Sequence, residues 1–173
     1  MNIFFEILKY TIPALTVLVT TWFLVKSFMN NAEKLRKIEF MMKTHEISLP
    51  LRLQAYERIT LFLERIAIDS LLLRFNQPGM TSRQMHTELL TSIRNEYEHN
   101  LSQQVYMSAQ AWEMVRNARA QMIKIINTAA EKTNPNQPAI ELSKNILENI
   151  GEYSKSPTQN ALDFIKTEVQ LLF

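Results

Sequence analysis

Residues 10–25 (YTIPALTVLVTTWFLV) carry no charge and are bracketed by Lys9 and Lys26. A run of this kind is either buried on all sides by protein or placed in lipid, so it constrains the fold more than any other stretch. At 1.5 Å per residue it reaches about 24 Å, short of the roughly 30 Å hydrocarbon core of a bilayer. The flanks make up the difference. Ile7, Leu8, Phe28 and Met29 prolong the apolar surface. Lys9 and Lys26 can lay their methylenes along it and lift their ammonium groups to the interface. Tyr10 and Trp22 stand near the two ends, where amphipathic rings prefer to sit. Ile3, Phe4 and Phe5 then form an interfacial lead-in, with Glu6 at headgroup depth. Pro13 falls in the early turns, where a missing amide hydrogen bond disturbs least.

Two other readings compete. A buried helix of a soluble protein is usually bounded by amphipathic patterns. A cleaved signal peptide needs a small-x-small site, which Ser27-Phe28-Met29-Asn30-Asn31 does not supply. The expectation is therefore a retained, single-pass transmembrane helix over residues 1–29, with the lipid bilayer as its first partner. Basic residues near a span resist translocation. Lys26, Lys34, Arg36, Lys37 and Lys43 follow the run, against Lys9 and the terminal amine before it. That bias puts the N-terminus outside and the body of the chain in the cytoplasm. The hydroxyls of Thr11, Thr16, Thr20 and Thr21 can bond back to carbonyls one turn earlier. Equally, small hydroxylated residues permit close approach of a second transmembrane helix; Thr16 and Thr20 are the residues assigned to such a face.

Beyond the anchor the chain reads as all-α. It holds two glycines, abundant Leu, Ile, Met, Glu, Gln and Ala, and no period-two alternation. Residues 30–48 continue as a juxtamembrane stalk in which Leu35, Ile38, Met42, His45 and Leu49 form a sparse heptad. Leu49-Pro50 is expected to end or kink that helix, because the residue before proline avoids the helical region. A bundle of about five helices fills residues 49–173. The first, at residues 51–75, stops at Asn76-Gln77-Pro78-Gly79. Thr81 or Ser82 caps the next, over residues 83–100. Another, at residues 103–132 after a bend near Ser102, carries a stripe of Val105, Ala109, Trp112, Val115, Ala118, Met122, Ile125, Ile126 and Ala129. Thr133-Asn134-Pro135-Asn136-Gln137-Pro138 is a loop, after which Pro138 opens a helix that Gly151 closes. Ser156-Pro157 starts the last, with Leu162, Ile165, Val169 and Leu172 on one side. The bundle is large enough to bury its own core.

Chemistry is sparsely signalled. The net charge is +2, and apart from the juxtamembrane cluster there is no basic face, so nucleic acid is not an expected ligand. Lack of cysteine excludes disulfides and thiolate metal sites. No phosphate loop or nucleophile elbow is present. The first bundle helix repeats Tyr56-Glu57-Arg58-Ile59 as Leu63-Glu64-Arg65-Ile66, which aligns Glu57 with Glu64 and Arg58 with Arg65. On a helix this apolar, those stripes are a solvated edge, are paired internally (Arg65 with Asp69), or meet a partner. Glu96 and His99 have the Glu-x-x-His spacing of di-iron bundles, and Glu57 and Glu64 could be imagined as the remaining carboxylates, but the second Glu-x-x-His is missing. No catalytic residue, cofactor or metal is therefore assigned. His99 and Asn100 are expected to tie off a helix junction near Gln103 and Gln104 by hydrogen bonds.

Two segments, LPLRLQAYER leading into FLERI and EYEHNLSQQVY, resemble an uncharacterised family of single-pass, helix-rich membrane proteins of Bacteroidota. The resemblance covers roughly residues 49–128 and the anchor. It implies an inner-membrane location and brings no activity to carry over. The function expected from all of this is a non-enzymatic, membrane-anchored scaffold or accessory subunit of a larger inner-membrane complex, with integral membrane proteins as partners. Its binding surfaces would be the Thr16/Thr20 face, the Leu35, Ile38 and Met42 seam, and the Glu57, Arg58, Glu64 and Arg65 stripe. A self-associating signal relay, with a possible homo-oligomer, is the alternative; a metal-dependent bundle enzyme is a third.

Overall fold

The computed structural model describes residues 2–171, without the side chains of residues 2–6, Leu8 and Tyr10. The placements expected for Ile3, Phe4, Phe5, Glu6, Leu8, Tyr10 and Leu172 lie outside the described residues. The elements are α1 (Asn2–Arg65), α2 (Ile68–Phe75), α3 (Ser82–Asn100), a 3-10 segment (Leu101–Tyr106), α4 (Ala109–Glu131), α5 (Ala139–Gly151) and α6 (Pro157–Gln170). Among the described residues the only β pairing is one isolated bridge, Thr81 to Pro138. The protein is all-α, as its composition implies.

The helix boundaries follow from local chemistry in most places. Thr81 and Gln84 form a reciprocal capping box: the Gln84 amide donates to the Thr81 hydroxyl at 3.3 Å and the Thr81 amide to the Gln84 side chain at 2.9 Å. Ser108 accepts from the Ala111 amide and Ser156 from the Gln159 amide, each capping the helix that follows. Pro157 sits in the first turn of α6, where its missing N–H costs nothing. Gly79 adopts φ +81°, a conformation that needs the absent Cβ, and turns the chain between α2 and α3.

Three boundaries differ from expectation. α1 does not end at Leu49-Pro50, the first of the two forms expected there, since helical structure is continuous through Pro50. The helix expected over residues 51–75 is broken instead at Ile66-Ala67, with Ala67 extended at ψ 143°. α4 begins after Ser108, because residues 101–106 take a tighter 3-10 form. That leaves Val105 and Ala109 exposed and off the buried stripe, where Ala111 stands in their place.

The chain divides into two compact units, Met1–Leu49 and Pro50–Phe173. The second holds the core. Tyr56, Ile59, Phe62, Leu63 and Ile66 from the last turns of α1 are buried with Leu71, Met85, Leu89, Ile93, Val115, Met122, Ile126, Leu142, Ile146, Leu162 and Ile165. Full burial of each such aliphatic side chain is worth about 1.5–3 kcal/mol. α4 is the central helix, packing on α3, α5 and α6. Leu61 and Leu73, on the same helical stretches, are exposed. The loop over residues 132–138 is firmly tied: the Ser82 amide donates to Gln137 O (2.8 Å), Arg83 to Pro135 O (3.0 Å) and Ala139 to Met80 O (2.9 Å). Buried Thr133 donates to Ala129 O and accepts from Asn145, both at 2.7 Å.

Candidate functional site

One helix among the described residues is long and apolar enough to cross a membrane, by length and composition. None of the residues in its most apolar stretch is buried by protein. Leu15, Leu18, Phe23 and Leu24 are all more than half exposed. A core helix would show the reverse, since contiguous apolar patches of this size are rare on soluble monomers. The Lys26 ammonium lies 4.7 Å from the centre of the Trp22 ring, a cation–π contact at the end of the run.

The Thr11, Thr16 and Thr20 hydroxyls are satisfied within the helix. Thr16 donates to Pro13 O at 2.8 Å, and Thr20 to Thr16 O at 2.8 Å and Val17 O at 3.0 Å. Further along the same unit, Leu35 is 62 % exposed, Ile38 48 % and Met42 66 %. These large apolar side chains stand exposed on the first unit.

The charged stripe of the second unit is a solvated edge: Glu57, Arg58, Glu64 and Arg65 are all exposed. Arg65 does not pair with Asp69, one turn ahead of it in sequence. Because the helix breaks at Ile66-Ala67, its guanidinium reaches α3 and donates to both Glu96 oxygens at 3.2 Å. With side-chain exposures of 57 % and 18 %, the pair contributes about 1 kcal/mol at most. Arg65, Glu96 and His99 line a polar groove of about 500 Å³ with Phe75, Glu88 and Asn95. Glu57 and Glu64 are absent from it, and no group of three or more His, Asp or Glu side chains among the described residues is arranged to hold a metal. Asn100 closes its own helix by donating to Glu96 O at 2.8 Å. His99, expected to help tie that junction, makes no hydrogen bond there.

Two arrangements carry no signal in the sequence. The Glu168 carboxylate, on α6, is held between the Tyr56 hydroxyl of α1 and the Ser108 hydroxyl of α4, the latter at 2.8 Å. Burial, and next the bond to Glu168, push the Tyr56 phenol above its ordinary pKa. Elsewhere in the bundle Tyr97 stacks on Trp112 with centroids 5.7 Å apart, and the Arg119 guanidinium sits 4.1 Å from the Tyr97 ring. The second arrangement is an open pocket of about 380 Å³ beside the 132–138 loop. There His86 Nε2 and Asn127 Oδ1 are 2.8 Å apart, near Arg83 and Glu131. In both clusters the polar groups are engaged with one another, and Ser108 also caps α4, so both read as packing devices.

No curated protein and no solved structure matches the chain. Residues 2–172 match a protein family described as a family of unknown function, DUF7935. The match takes in the apolar N-terminal helix and the whole bundle, including the segment after Pro138 that the recognisable sequence motifs do not reach. The chain therefore belongs to this family of unknown function.

Proposed function

We propose that this protein is a non-enzymatic, single-pass membrane protein that serves as a scaffold or accessory subunit of a larger inner-membrane assembly in Bacteroidota. The N-terminus lies outside and the bundle in the cytoplasm, following the basic residues Lys26, Lys34, Arg36, Lys37 and Lys43 after the span. The observation that carries this reading is that none of the apolar run is buried by protein, while the bundle completes its own core. Folding leaves that surface uncovered, and lipid is the solvent that matches it.

Partner contact is assigned to the Thr16/Thr20 face, the Leu35, Ile38 and Met42 seam, and the exposed Glu57, Arg58, Glu64 and Arg65 edge. The test is mild-detergent extraction of the full-length chain from its native membrane, with mass spectrometry of what co-purifies. A stoichiometric integral membrane partner is the expected result. Recovery in the soluble fraction, or as a lone monomer from detergent, would overturn the reading.

A further inference from the structure

The stalk seam is exposed, apolar and regularly spaced, and its surrounding charges indicate what covers it. Place Phe28, Leu35, Met42 and Leu49 at position a of a heptad; Asn31, Ile38 and His45 then fall at d. Glu33, Lys34, Arg36, Lys37, Glu39, Lys43 and Glu46 are the charged residues of this stretch, and none of them occupies a or d. Glu33, Arg36, Lys37 and Lys43 fall at b, c and f, on the outer side. The remaining three flank the seam, Lys34 at g and Glu39 and Glu46 at e.

In a parallel pair of helices, g of one heptad meets e of the next on the partner helix. Lys34 of one copy therefore meets Glu39 of the other, twice by symmetry, and the neighbouring g–e pairs (Ser27 with Ala32, Met41 with Glu46) contain no like charges. Lipid is a poor alternative occupant. Ile38 lies about 14 Å along the helix from Met29, beyond the apolar run, and charged residues ring the stalk. We infer that the Leu35–Ile38–Met42 seam binds the same seam of a second copy of this chain, as a parallel two-stranded coiled coil in register. This rests on the membrane-anchored reading, because two chains tethered by the same end in one membrane must run parallel. Asn31 at d supplies a polar layer of the kind that fixes register. Phe40 and Ile47, exposed at f, stay on the far side and remain open to a different partner.

The chain contains no cysteine, so single cysteines can be placed without background. Full-length L35C, I38C, M42C, R36C and F40C variants are oxidised in native membranes after an alkaline carbonate wash. Disulfide-linked dimers are expected at 35, 38 and 42 and not at 36 or 40. K34E should lower the crosslinked fraction of I38C roughly three- to fivefold, and adding E39K should restore it. Membrane-retained chains without dimers, dimers at every position alike, or crosslinks only to a different protein would overturn the second-copy assignment while leaving the anchored interaction reading intact. Release of the chain by carbonate would overturn both.

Discussion

Replacing Glu168 with alanine tests whether the node between α1, α4 and α6 holds the bundle together. The Tyr56 side chain is buried and loses its only carboxylate acceptor. A buried hydroxyl left without a partner costs about 1–3 kcal/mol. Ser108 loses an acceptor too, but it is half-buried and keeps its capping bond from the Ala111 amide, so its share is smaller. The expected loss for Glu168→Ala is about 2–3 kcal/mol. Tyr56→Phe leaves the half-exposed carboxylate with Ser108 and should cost about 1 kcal/mol. Removing both partners should cost no more than Glu168→Ala alone, giving a coupling of about 1 kcal/mol. The assay is urea unfolding in mild detergent followed by Trp112 fluorescence, with Trp22→Phe as background so that the other of the two tryptophans is silent. The same variants predict a pH effect. The folded phenol titrates above its ordinary 10.0, so its contribution is complete below that value and is lost as pH rises through the folded pKa. Stability of the parent should fall more steeply above about pH 10 than that of Tyr56→Phe. Strictly additive single variants, or a Glu168→Ala loss below about 0.5 kcal/mol, would refute the node.

Four further outcomes follow from the bundle. Met122→Ala empties a fully buried site at the centre of α4 and should cost about 2–5 kcal/mol in the same unfolding assay. Thr81→Ala opens the capping box of α3; about 1 kcal/mol should be lost, with faster amide exchange in its first turn. The Asp163 carboxyl is held below its ordinary 3.8 by Lys155 first and Gln159 second, so any stabilisation it gives is present above that value and fades as pH falls through the folded pKa; carboxyl chemical shifts should titrate below 3.8, and Lys155→Ala should bring them back. Arg74 donates to Arg65 O at 2.7 Å across the break after α1, so Arg74→Ala should speed exchange at residues 66–70 by about tenfold, equivalent to about 1.4 kcal/mol.

How far the sequence disclosed this fold depended on whether a boundary had a local cause. Thr81, Ser156-Pro157 and Gly79 act through their own side chains or their lack of one, so the spacing of caps and breakers located α3, α6 and the turn between α2 and α3. The break at Ile66-Ala67 has no glycine, proline or capping side chain. It is made by tertiary contacts: Arg74 satisfies the carbonyl of Arg65, and both Ile66 and Ile68 enter the core on either side of the bend. Pro50 is the converse case. It deprives its helix of one hydrogen bond at a cost of about 3 kcal/mol, yet helix is retained on both sides. A breaker signal here becomes a position within an element.

The same distinction explains what could be read of the sites. The apolar run and the regularly spaced Leu35, Ile38 and Met42 could be located in the sequence because spacing along one helix is a property of the helix itself, independent of what packs elsewhere. The Arg65–Glu96 pair and the Glu168 node could not, because each joins residues 31 to 112 positions apart whose proximity exists only after the bundle closes. Asp69 was the nearer partner for Arg65 along the chain, and it lost because the helix breaks between them. A charge repeated every seven residues marks a stripe; which end of that stripe finds a counter-charge is decided by where the helix stops. Here that leaves Glu57, Arg58 and Glu64 with no ion pair among the described residues, charges on an exposed edge that the fold has not neutralised.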